Sequence, residues 1–104
     1  MDLQEASERA YEIAQKRGLN ENTFQTLKHC AGEVLEANEA YNNWSLLDIP
    51  NEDYKIAFED ELADVIICIL SICGQEHINI EQALCRCFLK NEKRALGGKN
   101  DSKK

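Results

Sequence analysis

Proline occurs once in this 104-residue chain, at Pro50, and glycine five times. So few breakers exclude a turn-rich all-β architecture and leave a small number of long helices. Gly74, Gly97 and Gly98 stand where helices can end. Basic residues are also in short supply: 12 Lys and Arg face 19 Asp and Glu, a net charge of -7 with a pI near 4.8. That balance argues against general nucleic-acid binding, which needs a basic face to neutralise phosphates. An acidic protein that handles phosphates needs metal ions as intermediaries.

Long apolar runs are missing as well. The longest, Leu62 to Cys73, contains Asp64 and Ser71 and falls short of the roughly 20 residues that cross a bilayer. It reads as a core helix. Met1 to Arg17 is charged throughout and carries no secretory signal, so a cytoplasmic location is expected. The cysteines are odd in number (Cys30, Cys68, Cys73, Cys85 and Cys87) and fall mostly in apolar helical runs, where they act as small hydrophobes rather than as disulfide partners. Cys85-Arg86-Cys87 lacks the spacing of a zinc knuckle, and His29 and His77 are the two available imidazoles.

What is present is helical periodicity. Leu3, Ala6, Ala10, Ile13 and Ala14 form a narrow apolar stripe on a first helix, Asp2 to Arg17, stopped by Gly18. Asn22 or Thr23 caps a second helix from about Phe24 to Asn42, with Leu27, Ala31, Val34, Leu35 and Asn38 as its expected inner face. Asn42 to Asn51 is the one long loop, and its apolar members Trp44, Leu46, Leu47 and Ile49 are expected to cover an open end of the bundle. Asn51, Glu52 and Asp53 start a third helix that runs to about Glu76. Asn79 and Gln82 form a capping pattern for a fourth, Ile80 to Leu96, ended by Gly97-Gly98. Residues 1–98 are expected to form one all-α, four-helix-bundle-like domain, completed by oligomerisation, with 99–104 a disordered tail.

Two acidic signatures lie on these helices, Gly32-Glu33-Val34-Leu35-Glu36 and Glu61-Leu62-Ala63-Asp64. Carboxylates three apart on a helix share a face, so two such pairs can form one four-oxygen-ligand site suited to a hard divalent cation. Glu33-x-x-Glu36 alone is commonplace on a solvated helix. Asp64, set in an apolar stretch, is expected to be buried and to need a counter-charge, either Lys28 or Arg94 or a cation shared with Glu33, Glu36 and Glu61. A carboxylate-bridged di-iron bundle is excluded because it needs glutamate three residues before histidine, where this chain has Thr26 and Gly74.

These residues carry a resemblance. Gly32 to Glu36, Asp60 to Val65, the stretch Ile78 to Leu84, and Asn91-x-x-Arg94 together look like the all-alpha nucleoside triphosphate pyrophosphohydrolases of the MazG-like group, over about residues 24–96. The resemblance implies Mg2+-dependent (Mn2+ as an alternative) cleavage of a nucleoside triphosphate between its α and β phosphates, giving monophosphate and pyrophosphate; house-cleaning of the nucleotide pool, control of a canonical deoxynucleotide and action on another phosphorylated compound are all open as its role. It implies Glu33, Glu36, Glu61 and Asp64 as metal ligands and Glu36 as general base. Lys90, Asn91 and Arg94 are the phosphate-binding candidates, and Phe24, His29 and Trp44 the base-binding ones, with Gln25 and Asn43 nearby. The chain departs from the group at Cys87, where many relatives have lysine; Arg86 or Lys90 has to substitute. A homodimer or homotetramer is expected. The rival readings are a bundle that binds nucleotide without turnover and a purely structural helical partner protein.

Overall fold

The computed structural model describes residues 1–19, 22–48 and 50–97; Ile49, Gly98 and the expected tail 99–104 lie outside them. The chain is all-α, with four helices and, among the described residues, no strand: α1 (Leu3–Lys16), α2 (Thr23–Ser45), α3 (Glu52–Glu76) and α4 (Ile80–Gly97). No helix among them is long and apolar enough to cross a membrane.

Each start is fixed by a side-chain cap that satisfies otherwise orphaned amides. Asp2 pairs with Glu5, and Asn22 with Gln25, in reciprocal capping boxes. Asn51 Oδ1 accepts from the amides of Asp53 and Tyr54, and Asn79 Oδ1 from that of Gln82 at 3.0 Å. The end of α1 is a left-handed glycine stop: Gly18 has φ 74°, and the Leu19 amide folds back to the Ala14 carbonyl at 2.7 Å. His77, with φ 57°, performs the same office for α3.

Two expectations about boundaries need correction. The second helix runs on through Asn43, Trp44 and Ser45, because the Trp44 ring stacks on Phe58 of α3 (centroids 5.8 Å apart, planes 30°) and Tyr41 closes the trio. Packing here overrides the turn preference of Asn and Ser. Leu46, expected to cover an end of the bundle, is instead 81% exposed. Gly74 ends nothing: it lies inside α3, where a side-chain carbon would sit 2.5 Å from the Ser7 carbonyl oxygen and 2.7 Å from Tyr11 Cβ. The glycine lets α1 lie directly on α3, and Ser7 at that crossing is 1% exposed.

Helix α3 is the one on which the others are hung: α2 packs on it along most of its length, α1 packs on it as well, and α4 meets α1 over a small contact. The α2–α3 pair is antiparallel. Thr23 at the start of α2 hydrogen-bonds Glu76 at the end of α3, Cys30 shares a buried cluster with Cys68 and Ile72, and Tyr41 meets Phe58 at the other end. All five cysteines are free thiols.

The inner face of α2 differs from the expected one. Thr26, Cys30 and Ala37 are buried and Glu33 and Ala40 half-buried, while Leu27, Ala31, Val34, Leu35 and Asn38 face outward, Leu35 at 70% exposure. A narrow seam of small and polar residues fits between two closely packed helices; the bulkier apolar residues do not. Along α3, Leu62, Ile66, Ile67 and Ile69 are likewise exposed, and α4 buries no residue at all. The radius of gyration, 16.6 Å, exceeds the about 13 Å of a compact chain of this length. The helices therefore form an open arrangement rather than a closed four-helix bundle.

Replacing Gly74 with Ala is expected to destabilise the fold by about 1–3 kcal/mol, since the new methyl meets main chain rather than a yielding side chain. Urea denaturation of the variant against the parent checks this; an unchanged midpoint would refute the close crossing.

Candidate metal centre

The antiparallel register brings the two acidic signatures level with each other near the middle of the α2–α3 contact. One oxygen each from Glu33, Glu61 and Asp64 lies within 4.8 Å of the others. Glu36 follows one turn further along α2, close enough that its charge is among those raising the Glu61 carboxyl.

Burial is distributed differently from the sequence expectation. Asp64 is exposed, because it lies on the flank of α3 toward α1 rather than in the apolar seam. The buried oxygens belong to the glutamates: Glu33 Oε1 and Glu61 Oε1 are shut off from solvent and have no hydrogen-bond partner. An unpaired buried carboxylate oxygen is costly. The other oxygen of Glu33 lies 3.1 Å from His29 Nε2, one turn back on α2. Lys28, one of the two side chains considered as a bland partner for Asp64, instead sits over the Phe24 ring, 5.7 Å from its centroid. Desolvation is the first cause that raises the Glu61 carboxyl above its ordinary 4.5, followed by the charges of Glu36, Asp64 and Glu33.

Two grooves open on either side of the cluster. One, of about 370 Å³, lies among α1, α2 and α3 and is lined by Arg17, His29, Glu33, Asp64, Ser71 and apolar residues. The other, of about 450 Å³, runs between α2 and α3 and is lined by Glu36, Glu39, Ala40, Asn43, Tyr54, Ala57 and Glu61. Both are of a size that takes small ligands. Neither is lined by α4.

The remaining candidates fall accordingly. Lys90, Asn91 and Arg94, expected to hold phosphates, ride on α4, which touches the rest chiefly through α1 and lines neither groove. Cys87 and Arg86 are exposed on the same helix. Among the base candidates, His29 borders the first groove, Trp44 is engaged with Tyr41 and Phe58, and Phe24 is exposed beneath Lys28. Arg17 and Tyr54 were missed. No signal in the sequence ties a helix-terminal arginine to carboxylates 47 residues away.

No family model, curated protein or solved structure matches this chain. It stands as an all-α four-helix protein with a Glu/Glu/Asp cluster able to hold a metal ion.

The chemistry of that donor set fits a hard divalent cation: all-oxygen, anionic, with two oxygens buried and unpartnered. It does not fit a thiophilic metal, since no cysteine is among the three.

Without a cation, raising Glu61 means that the folded state binds this proton more tightly than the unfolded chain. Its contribution to stability is thus full below pH 4.5 and is lost as pH rises through the folded value. Glu61→Gln, in EDTA, is expected to keep its melting temperature over that window while the parent's declines. Parallel melting curves from pH 4 upward check this, and identical slopes would contradict it.

Proposed function

We propose that the protein is a metal-dependent nucleoside triphosphate pyrophosphohydrolase of the MazG-like kind, with Mg2+ or Mn2+ held by Glu33, Glu61 and Asp64, directly or through water, and Glu36 beside them. The observation that carries this reading is the pair of buried, unpartnered glutamate oxygens inside a three-carboxylate cluster. Four like charges gathered between two helices are hard to keep for structural reasons alone, since an apolar residue at any of these positions packs at lower cost. The resemblance of Gly32 to Glu36 and of Asp60 to Val65 supplies the reaction class.

When bound, the cation neutralises phosphate oxygens and makes a coordinated water more acidic. The chain's own residues do the rest. Glu33 is held in place by His29, whose imidazole fixes one carboxylate oxygen while the other is buried without a partner. Glu36 lies next to the ligands, its charge felt at Glu61, and is the group to take the proton as water attacks the α-phosphorus. The bond to the bridging oxygen breaks and pyrophosphate leaves.

The same reading includes a homo-oligomer. Ile66 is 56% exposed in the single chain and lines, with Ile13, Ile67, Leu70 and Met1, an apolar groove of about 390 Å³ between α1 and α3. Apolar surface of that kind is the material of subunit interfaces. A second copy also offers a route by which Lys90, Asn91 and Arg94 reach a carboxylate cluster.

Two outcomes are expected. Mn2+ at a hundred times its dissociation constant raises stability by about 2.7 kcal/mol, and purified protein releases pyrophosphate from members of a nucleoside triphosphate panel, an activity abolished by EDTA and by Glu61→Gln or Asp64→Asn. Metal binding without any pyrophosphate release would favour the rival binding module; no metal binding would end the proposal. Light scattering is expected to find a dimer or tetramer that Ile66→Glu dissociates, and a monomeric parent would refute the interface.

A further inference from the structure

The two grooves beside the carboxylates differ in charge, and the difference orients a ligand. The groove between α2 and α3 is lined by three carboxylates, those of Glu36, Glu39 and Glu61, and by no lysine or arginine. The groove among α1, α2 and α3 has two carboxylates, Glu33 and Asp64, facing Arg17 and His29.

The position of Arg17 follows from the helix crossing. Ser7 of α1 lies against Gly74 of α3. The helices run antiparallel from that point, since Ala10 and Ile13 border the same groove as Leu70, Ile67 and Ala63. Ten residues down α1 from Ser7 is Arg17, and ten residues up α3 from Gly74 is Asp64. Each step covers about 15 Å of helix at 1.5 Å per residue, so Arg17 stands level with Asp64. It sits at the end of α1, where the Gly18 stop turns the chain away. Level with a carboxylate as it is, Arg17 forms no ion pair among the described residues. The about 370 Å³ of open space separates the guanidinium from the acidic cluster.

We infer that Arg17 binds the phosphate chain of the ligand, which enters the groove among α1, α2 and α3 and leaves the nucleoside toward Asn43 and Tyr54. This rests on the metal-dependent reading above. A polyphosphate placed the other way meets Glu39 in addition to Glu36 and Glu61, with no cation in the groove lining to offset it. Placed as inferred, it would span from a cation at Glu33, Glu61 and Asp64 to a guanidinium with five donors and no ion-pair partner among the described residues, the donor set that suits phosphate oxygens. His29, on the same wall, then faces phosphate rather than base. The contact comes from the same chain as the carboxylates.

Inorganic tripolyphosphate separates this contact from base recognition. Calorimetric titration of it into the Mn2+-loaded protein is expected to show Arg17→Ala weakened roughly tenfold or more, as the loss of a charged hydrogen-bonding partner implies. Arg17→Lys falls between the two, and Arg9→Ala, which removes a cation from the apolar groove on the same helix, matches the parent. Mn2+ affinity itself is unchanged by Arg17→Ala. Equal tripolyphosphate affinity in parent and Arg17→Ala, with Mn2+ bound in both, overturns the role of Arg17 and leaves the metal reading standing. Equal losses in Arg9→Ala and Arg17→Ala reduce the effect to net charge and overturn it too. A parent that binds no Mn2+ removes the metal reading and this inference with it. Arg17→Gln, which keeps the length of the stem, serves as the deciding variant should Arg17→Ala fail to fold.

Discussion

Repulsion among carboxylates at the α2–α3 contact is the constraint around which the molecule is arranged. Glu33 and Glu61 turn oxygens into the seam where two helices meet, and Asp64 and Glu36 crowd the same space. A helix pair does not normally bury like charges at its centre. The seam tolerates them because most of its other members are small: Thr26, Cys30 and Ala37 from α2 and Cys68 from α3, with Ile72 beside them. Hydrogen bonding at one end, through Thr23 and Glu76, and aromatic packing at the other, through Tyr41, Trp44 and Phe58, hold the hairpin closed across the repulsive middle.

Using the inner face for acids has a consequence on the outer one. Helical periodicity gives each helix a limited number of inward positions, and on α2 small residues and Glu33 occupy them. Leu27, Val34 and Leu35 are left facing out, as are Leu62, Ile66, Ile67 and Ile69 on α3. Their exposure is therefore linked to the site and is not an independent property of the surface. On the proposed reading, the cluster and the subunit interface are two sides of one allocation of residues.

The order of the four helices was legible from the sequence, and so were most of their ends, because the caps Asp2, Asn22, Asn51 and Asn79 and the stop at Gly18 act locally. Local chemistry could not show that Gly74 is a contact point, since its reason lies on α1. Nor could it show that α2 extends through Trp44, whose ring packs against Phe58. The acidic pairs were visible because i, i+3 spacing puts two carboxylates on one face. Which face turned inward was misjudged: hydrophobicity favoured Leu27, Val34 and Leu35, and the structure buries the side carrying Glu33. The expectation for Asp64 erred in the same way, by taking an apolar neighbourhood in sequence for burial in space. The cations assigned from α4 depended on where a whole helix packs, which no spacing encodes.

On the proposed reading, protons and metal ions are alternatives at this cluster. Desolvation and three neighbouring carboxylates hold the Glu61 proton more tightly than usual, and a divalent cation in the same place relieves the same repulsion with more charge. Binding the cation must then displace whatever protons the cluster holds, so affinity rises with pH through the range where Glu61 titrates. The buried oxygens that make the empty seam unfavourable also give an ion there the largest electrostatic return, because water does not screen them. On the proposed reading the glutamates supply the affinity, and Asp64, exposed on the flank, lies at the opening through which a ligand's phosphate oxygens would reach the cation while Arg17 meets them from the other side.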